Sequence, residues 1–148
     1  MSTTSIRWAL AKHYINTVRV APGATGVQVE PGYPGGERLE AQAIWIDSID
    51  NTTNEVPVMT GGRSHRDDYF TIGLIIRVFK FPTLDQTMAR LEELAALLEN
   101  PSADDPTLDG FDSVLSADFA VTNIGCSWIQ DGPVGFARCE LRIHSRLT

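Results

Sequence analysis

The chain has 148 residues, 43% of them hydrophobic, and a formal net charge of −7. This is enough for one buried core, and the acidity excludes a tight duplex-DNA binder, whose affinity comes mostly from phosphate neutralisation by Lys and Arg. A conduit past which DNA moves without sticking is compatible with the same charge. Met1-Ser2-Thr3-Thr4-Ser5 lacks the charged-then-apolar order of a signal peptide, and no apolar run is long enough to span a bilayer. A cytosolic chain without membrane contact is therefore expected.

Residues 4–19 place Ile6, Leu10, His13 or Tyr14, and Thr17 or Val18 at helical spacing, with Trp8 at the edge of the apolar face. Pro22-Gly23 ends this helix. Gly26-Val27-Gln28-Val29-Glu30 alternates as a short strand before the loop Pro31-Gly32-Tyr33-Pro34-Gly35-Gly36. A second strand over residues 40–49 carries Ile44, Trp45 and Ile46. Residues 50–66 are polar and contain glycine, which predicts a long arm. Over residues 67–80, Ile72, Leu74, Ile76 and Val78 fall on one face of a strand while Ile75 and Phe79 fall on the other. Both faces need cover, so this strand is central or meets another subunit.

A second helix is expected from Thr83, with Gln86 completing a capping box and Pro82 just outside. Its buried stripe is Met88, Leu91, Leu94, Ala95 and Leu98. Asn100-Pro101 is expected to stop it, leaving residues 102–112 as an acidic loop with Asp104, Asp105, Asp109 and Asp112. Two strands follow. Leu115, Ala117, Phe119 and Val121 alternate on one face, and after Asp131-Gly132-Pro133 so do Cys139, Leu141, Ile143 and Leu147. The opposite face of the last strand holds Arg138, Glu140, Arg142, His144 and Arg146. This order predicts an α+β fold: an antiparallel or mixed β-sheet with two helices packed on it, one domain over residues 1–148 with the arm at about 50–66. Cys126 and Cys139 flank the last turn and are expected as free, buried thiols.

Chemistry-bearing patterns are thin. Ser64-His65 and Asp67 lie close together, but no strained nucleophile turn surrounds them, and a solvated loop is the better reading. His13, His65 and His144 fall on different elements without ligand spacing. Thr60-Gly61-Gly62-Arg63 lacks the Gly-Lys-Ser/Thr ending of a phosphate loop, and the acidic loop lacks the spacing of a calcium loop. No catalytic residue, metal or cofactor is expected, and the chain is expected not to be an enzyme. Arg138, Arg142 and Arg146 form a cationic stripe suited to an acidic partner, or else an exposed face paired with neighbouring carboxylates.

The pieces Gly32-Tyr33-Pro34, Glu40-Ala41-Gln42-Ala43-Ile44-Trp45-Ile46, Arg66-Asp67-Asp68-Tyr69-Phe70-Thr71-Ile72, the capped helix, and Asp105-Pro106-Thr107-Leu108-Asp109-Gly110 stand in that order over nearly the whole chain. Together they resemble the tail terminator proteins of long-tailed, siphovirus-type bacteriophages. The resemblance implies an α+β sandwich that assembles as a homo-oligomer, a hexameric ring at the head-proximal end of the virion tail. It implies the tail tube protein and the neck or head-tail connector proteins as partners, with DNA passing through the lumen without specific binding. Contact candidates are Arg63, His65 and Arg66 on the arm and Arg138, Arg142 and Arg146 on the stripe. Two alternatives stay open: a neck or head-completion protein, and a small-ligand-binding or hydrolytic α+β domain, which a deep pocket with convergent polar groups would favour.

Overall fold

The structure, a computed structural model, describes residues 3–51, 66–105, 108 and 114–147. Its main elements are α1 (Thr3–Val20), β1 (Gln28–Glu30), β2 (Gln42–Asn51), β3 (Arg66–Val78), α2 (Leu84–Asp104), β4 (Val114–Ile129) and β5 (Gly132–Leu147). The strands form one sheet in the order β1-β2-β3-β5-β4. β1 runs parallel to β2 and every other pairing is antiparallel, so the sheet is mixed and the fold is α+β. The arm of residues 52–65 lies outside the described residues.

The apolar strand occupies the centre of the sheet. β3 pairs with β2 on one side and with β5 along its whole length on the other. Phe70, Ile72, Leu74, Ile76 and Val78 are fully buried on one face, joined by Cys139, Leu141 and Ile143 of β5. Both helices cover this face. α1 packs over β1, β2 and β3, and α2 over β3, β5 and β4. On α1 the helical period brings Leu10, Ala11, Tyr14, Ile15 and Val18 into the core, which places Tyr14 rather than His13 and Val18 rather than Thr17 on the buried stripe. The Tyr14 hydroxyl donates to the Leu98 carbonyl and ties α1 to α2.

α2 starts as its cap dictates: the Thr83 side chain accepts from the Gln86 N–H at 3.2 Å. Its end differs from the expectation. The helix runs through Pro101 to Asp104, because a proline in the last turn removes a single intrahelical bond while Ser102, which is buried, stays packed. The Ser102 hydroxyl and the Asp105 N–H then satisfy the carbonyls of Glu99 and Pro101. Met88 and Ala95 are half-buried at the rim of a stripe made by Leu91, Leu94 and Leu98.

Two irregularities in β4 change its faces. A register shift between Val114 and Ser116 turns Val114 into the core and leaves Leu115 exposed, contrary to the simple alternation. A second shift between Val121 and Asn123 makes Thr122 the extra residue, and its hydroxyl donates to the Arg138 carbonyl at 3.1 Å. Both cysteines are free. Cys139 is buried as expected, but Cys126 is exposed, because it lies in the part of β4 that no other element covers.

Candidate functional site

Opposite the helices, the sheet presents a face on which no helix of the described residues packs. Alternation along β5 brings Arg138, Glu140, Arg142 and His144 to it. Arg138 reaches across β3 to β2, where its Nη1 donates to Asp47 Oδ2 at 2.7 Å. Gly73 of β3 makes the crossing possible: a Cβ there would lie 3.3 Å from the Arg138 guanidinium and 2.6 Å from Ser48 Oγ. Ile75 sits on the same face between Arg138 and Trp45, and the Trp45 ring is covered in turn by Tyr33 at 5.2 Å. The second face of β3 is therefore sheltered by neighbouring side chains in place of a packed layer.

Arg142 lies further along the row with its Nη2 3.3 Å from Glu140 Oε2, opposite Thr71 on one side and Asp118 on the other. His144 stacks on Tyr69 with ring centroids 4.2 Å apart. Arg138 and Arg142 thus share one face, each with a carboxylate beside it. The backbones of Arg66 and Arg146 continue the β3 and β5 ladders at the same end, beyond which their side chains lie outside the described residues. Arg63 and His65 also lie outside them.

A feature that periodicity alone did not reveal is the outer half of β4. β4 is the last strand of the sheet and is bonded only to β5. From Val121 to Ile129 it carries no charged residue and no proline, the devices that ordinarily protect a free edge. The ladder puts Val121, Ile124, Cys126 and Trp128 opposite Cys139, Ala137, Gly135 and Pro133, on the side where α2 lies. Ile124 is nevertheless 52% exposed and Trp128 66%. Between α2 and this edge runs a groove of about 180 Å³ with Leu91, Ala95, Phe119, Val121 and Ile124 in its walls and Glu92 and Glu99 at its rim. The available sequence signal was the absence of any charged residue or proline from Val121 to Ile129, with Ile124, Cys126 and Trp128 alternating against Asn123, Gly125 and Ser127.

A buried ion pair anchors α1 to the sheet. The Arg7 guanidinium donates through Nε and Nη2 to Asp68, which is 7% exposed, and lies over the Phe70 ring. Hydrogen bonding to Asp68 raises the Arg7 pKa, outweighing its partial desolvation. A carboxylate inside an otherwise apolar strand requires such a partner. Burial also pushes the Tyr14 phenol well above its ordinary range and the Cys139 thiol up to about 12, so both stay neutral.

A cavity of about 490 Å³ lies between the end of α1 and α2. Its Arg90 is held by partners on three sides, donating to Gln42 at 2.6 Å, to Glu93 at 2.8 Å and to the Gly23 carbonyl at 3.3 Å. Among the described residues, no three His, Cys, Asp or Glu side chains are grouped to hold a metal ion, and no helix is long and apolar enough to cross a membrane. No known family model and no curated protein matches the chain.

Proposed function

We propose that this chain is a structural subunit that closes into a hexameric ring on the head-proximal end of a phage tail tube, ends tube growth and offers the joining face for the neck. The observation that carries the reading is the uncovered surface of the sheet: an uncharged β4 edge with exposed Ile124 and Trp128, beside an open face bearing Arg138 and Arg142. A subunit that works alone gains nothing from such an edge and risks aggregation through it. A ring subunit needs surfaces for the copies beside it and for the layers above and below. The resemblance to tail terminators supplies the setting, and the net charge of −7 suits a lumen through which DNA slides. Assembly is favoured over ligand turnover by the cavity between α1 and α2, where Arg90 is already engaged by Gln42, Glu93 and the Gly23 carbonyl.

The test is tail assembly in the absence of this protein. The reading requires tubes of uncontrolled length or tails unable to join heads. Tails of normal length that join heads would overturn it.

A further inference from the structure

Two helices of opposite sign lie over opposite halves of the sheet. α1 carries Arg7, Lys12 and Arg19 and no carboxylate, whereas α2 carries five carboxylates against the single Arg90. α1 covers the β1 side of the sheet and α2 the β4 side. The apolar groove at the β4 edge is rimmed by Glu92 and Glu99, both exposed. Trp8, 46% exposed, and Lys12 stand one helical turn apart on the solvent side of α1.

We infer that the groove between α2 and the outer half of β4 receives the Trp8 and Lys12 face of α1 from the next copy of this chain. An exposed apolar row needs an apolar occupant, and Trp8 is one. The acidic rim needs a cation beside it, and Lys12 is placed to supply that. Pairing of β4 with β4 of a second copy would instead set the Glu92 and Glu99 rims against each other, a like-charge contact across a closed dimer. Because groove and α1 face are different surfaces on opposite sides of one molecule, their contact is heterologous: an open row keeps a free groove at one end and a free α1 face at the other, and copies add in one direction until a ring closes. The inference rests on the ring reading above for closure, and names the surfaces through which neighbours meet.

The test uses charge exchange in the full-length protein, read by sedimentation at low salt. Glu92→Lys with Glu99→Lys reverses the rim, and Lys12→Glu reverses the α1 face; all three positions are exposed, and unchanged thermal melting verifies the fold. Each variant alone should self-associate roughly tenfold or more weakly than the unmodified chain. An equimolar mixture of the two should regain association, since reversed rims then meet reversed helices. Ile124→Asp in the groove wall should weaken association without rescue by the mixture. The inference is overturned if Lys12→Glu associates like the unmodified chain, if the mixture regains nothing, or if the unmodified chain stays monomeric at every concentration. It is also overturned if an equimolar mixture of the rim variant with the unmodified chain associates more tightly than either alone, which would assign the groove to β4–β4 pairing, where rims of opposite sign then meet. Success here with normal tails in the absence of the protein would leave the contact standing and remove the tail-ring reading. Defective tails with no effect of charge exchange would do the opposite.

Discussion

The two halves of β4 have similar side chains on the helix side of the sheet and opposite fates. Val114, Ala117 and Phe119 at its start lie under α2 or beside it and belong to or border the core. Val121, Ile124 and Trp128, on the same side of the same strand, are exposed. The residues are equally apolar in both halves, so composition does not separate them. Cover does: α2 lies mainly over β5, and along the outer half of β4 it forms only the far wall of the groove that Val121 and Ile124 line. Apolar residues under a helix stabilise the monomer, whereas apolar residues beyond it stabilise a contact with something else.

The sharpest way to break this comparison is to truncate one aliphatic side chain on each side of it. Leu94 is fully buried in the α2 stripe, and Leu94→Ala should cost about 2–5 kcal/mol in urea denaturation, through lost transfer energy and the cavity left behind. Ile124→Ala should cost under about 0.5 kcal/mol in the same assay. Comparable losses would mean that the outer half of β4 is covered in the free protein.

A smaller effect is expected at the anchor of α1. Arg7→Ala leaves Asp68 buried without its cation, which in a fully buried pair costs about 3–5 kcal/mol; Arg7 is partly exposed, so about 1–3 kcal/mol is expected. Arg7→Met keeps much of the side-chain bulk over Phe70 without the charge and should lose about as much as Arg7→Ala; a much smaller loss would argue that Arg7 acts through packing on Phe70 and not through charge.

Alkaline pH probes the covered face alone. The Cys139 thiol is held up to about 12 from an ordinary value of 9.0, and the Tyr14 phenol is also raised. The unfolded chain loses these protons first, so the contribution is present in full below about pH 9 and is lost as the pH climbs toward about 12, at up to about 1.4 kcal/mol per pH step for the thiol. Cys139→Ala should flatten part of this slope, measured as urea midpoints between pH 8 and about 10.5.

Much of the covered half could be read from the chain, and little of the open half. Ile72, Leu74, Ile76 and Val78 alternate so regularly that their buried face follows from period two, and Ile75 and Phe79 on the other face pointed to a strand either central, as it is, or meeting another subunit. Thr83 and the Leu91, Leu94, Leu98 spacing place α2 in the same way. Pro101 misled because proline is a poor guide to the end of a helix when it falls in the last turn. Leu115 and Cys126 misled for another reason: their exposure depends on bulges and on how far α2 reaches across β4, and both are set by tertiary packing. The Arg7 and Asp68 pair joins residues far apart in the chain, and its only local trace is a carboxylate in an apolar strand.

The smallest expected effect on stability belongs to the stripe on the open face. Arg142 is more than half exposed and 3.3 Å from Glu140, a geometry typically worth under about 1 kcal/mol. Arg142→Glu should therefore leave the urea midpoint nearly unchanged. If this face meets the tube or the neck, the same substitution should weaken that association, and the difference from the unmodified chain should fade as salt rises and exposed charges are screened over about 10 Å at 0.1 M. Arg138→Glu is the useful companion, because Arg138 already bridges β5 to Asp47 of β2 and its reversal should disturb the sheet as well. An Arg142 variant that assembles normally at low salt would remove the stripe from the interface and leave the β4 edge to carry the contact.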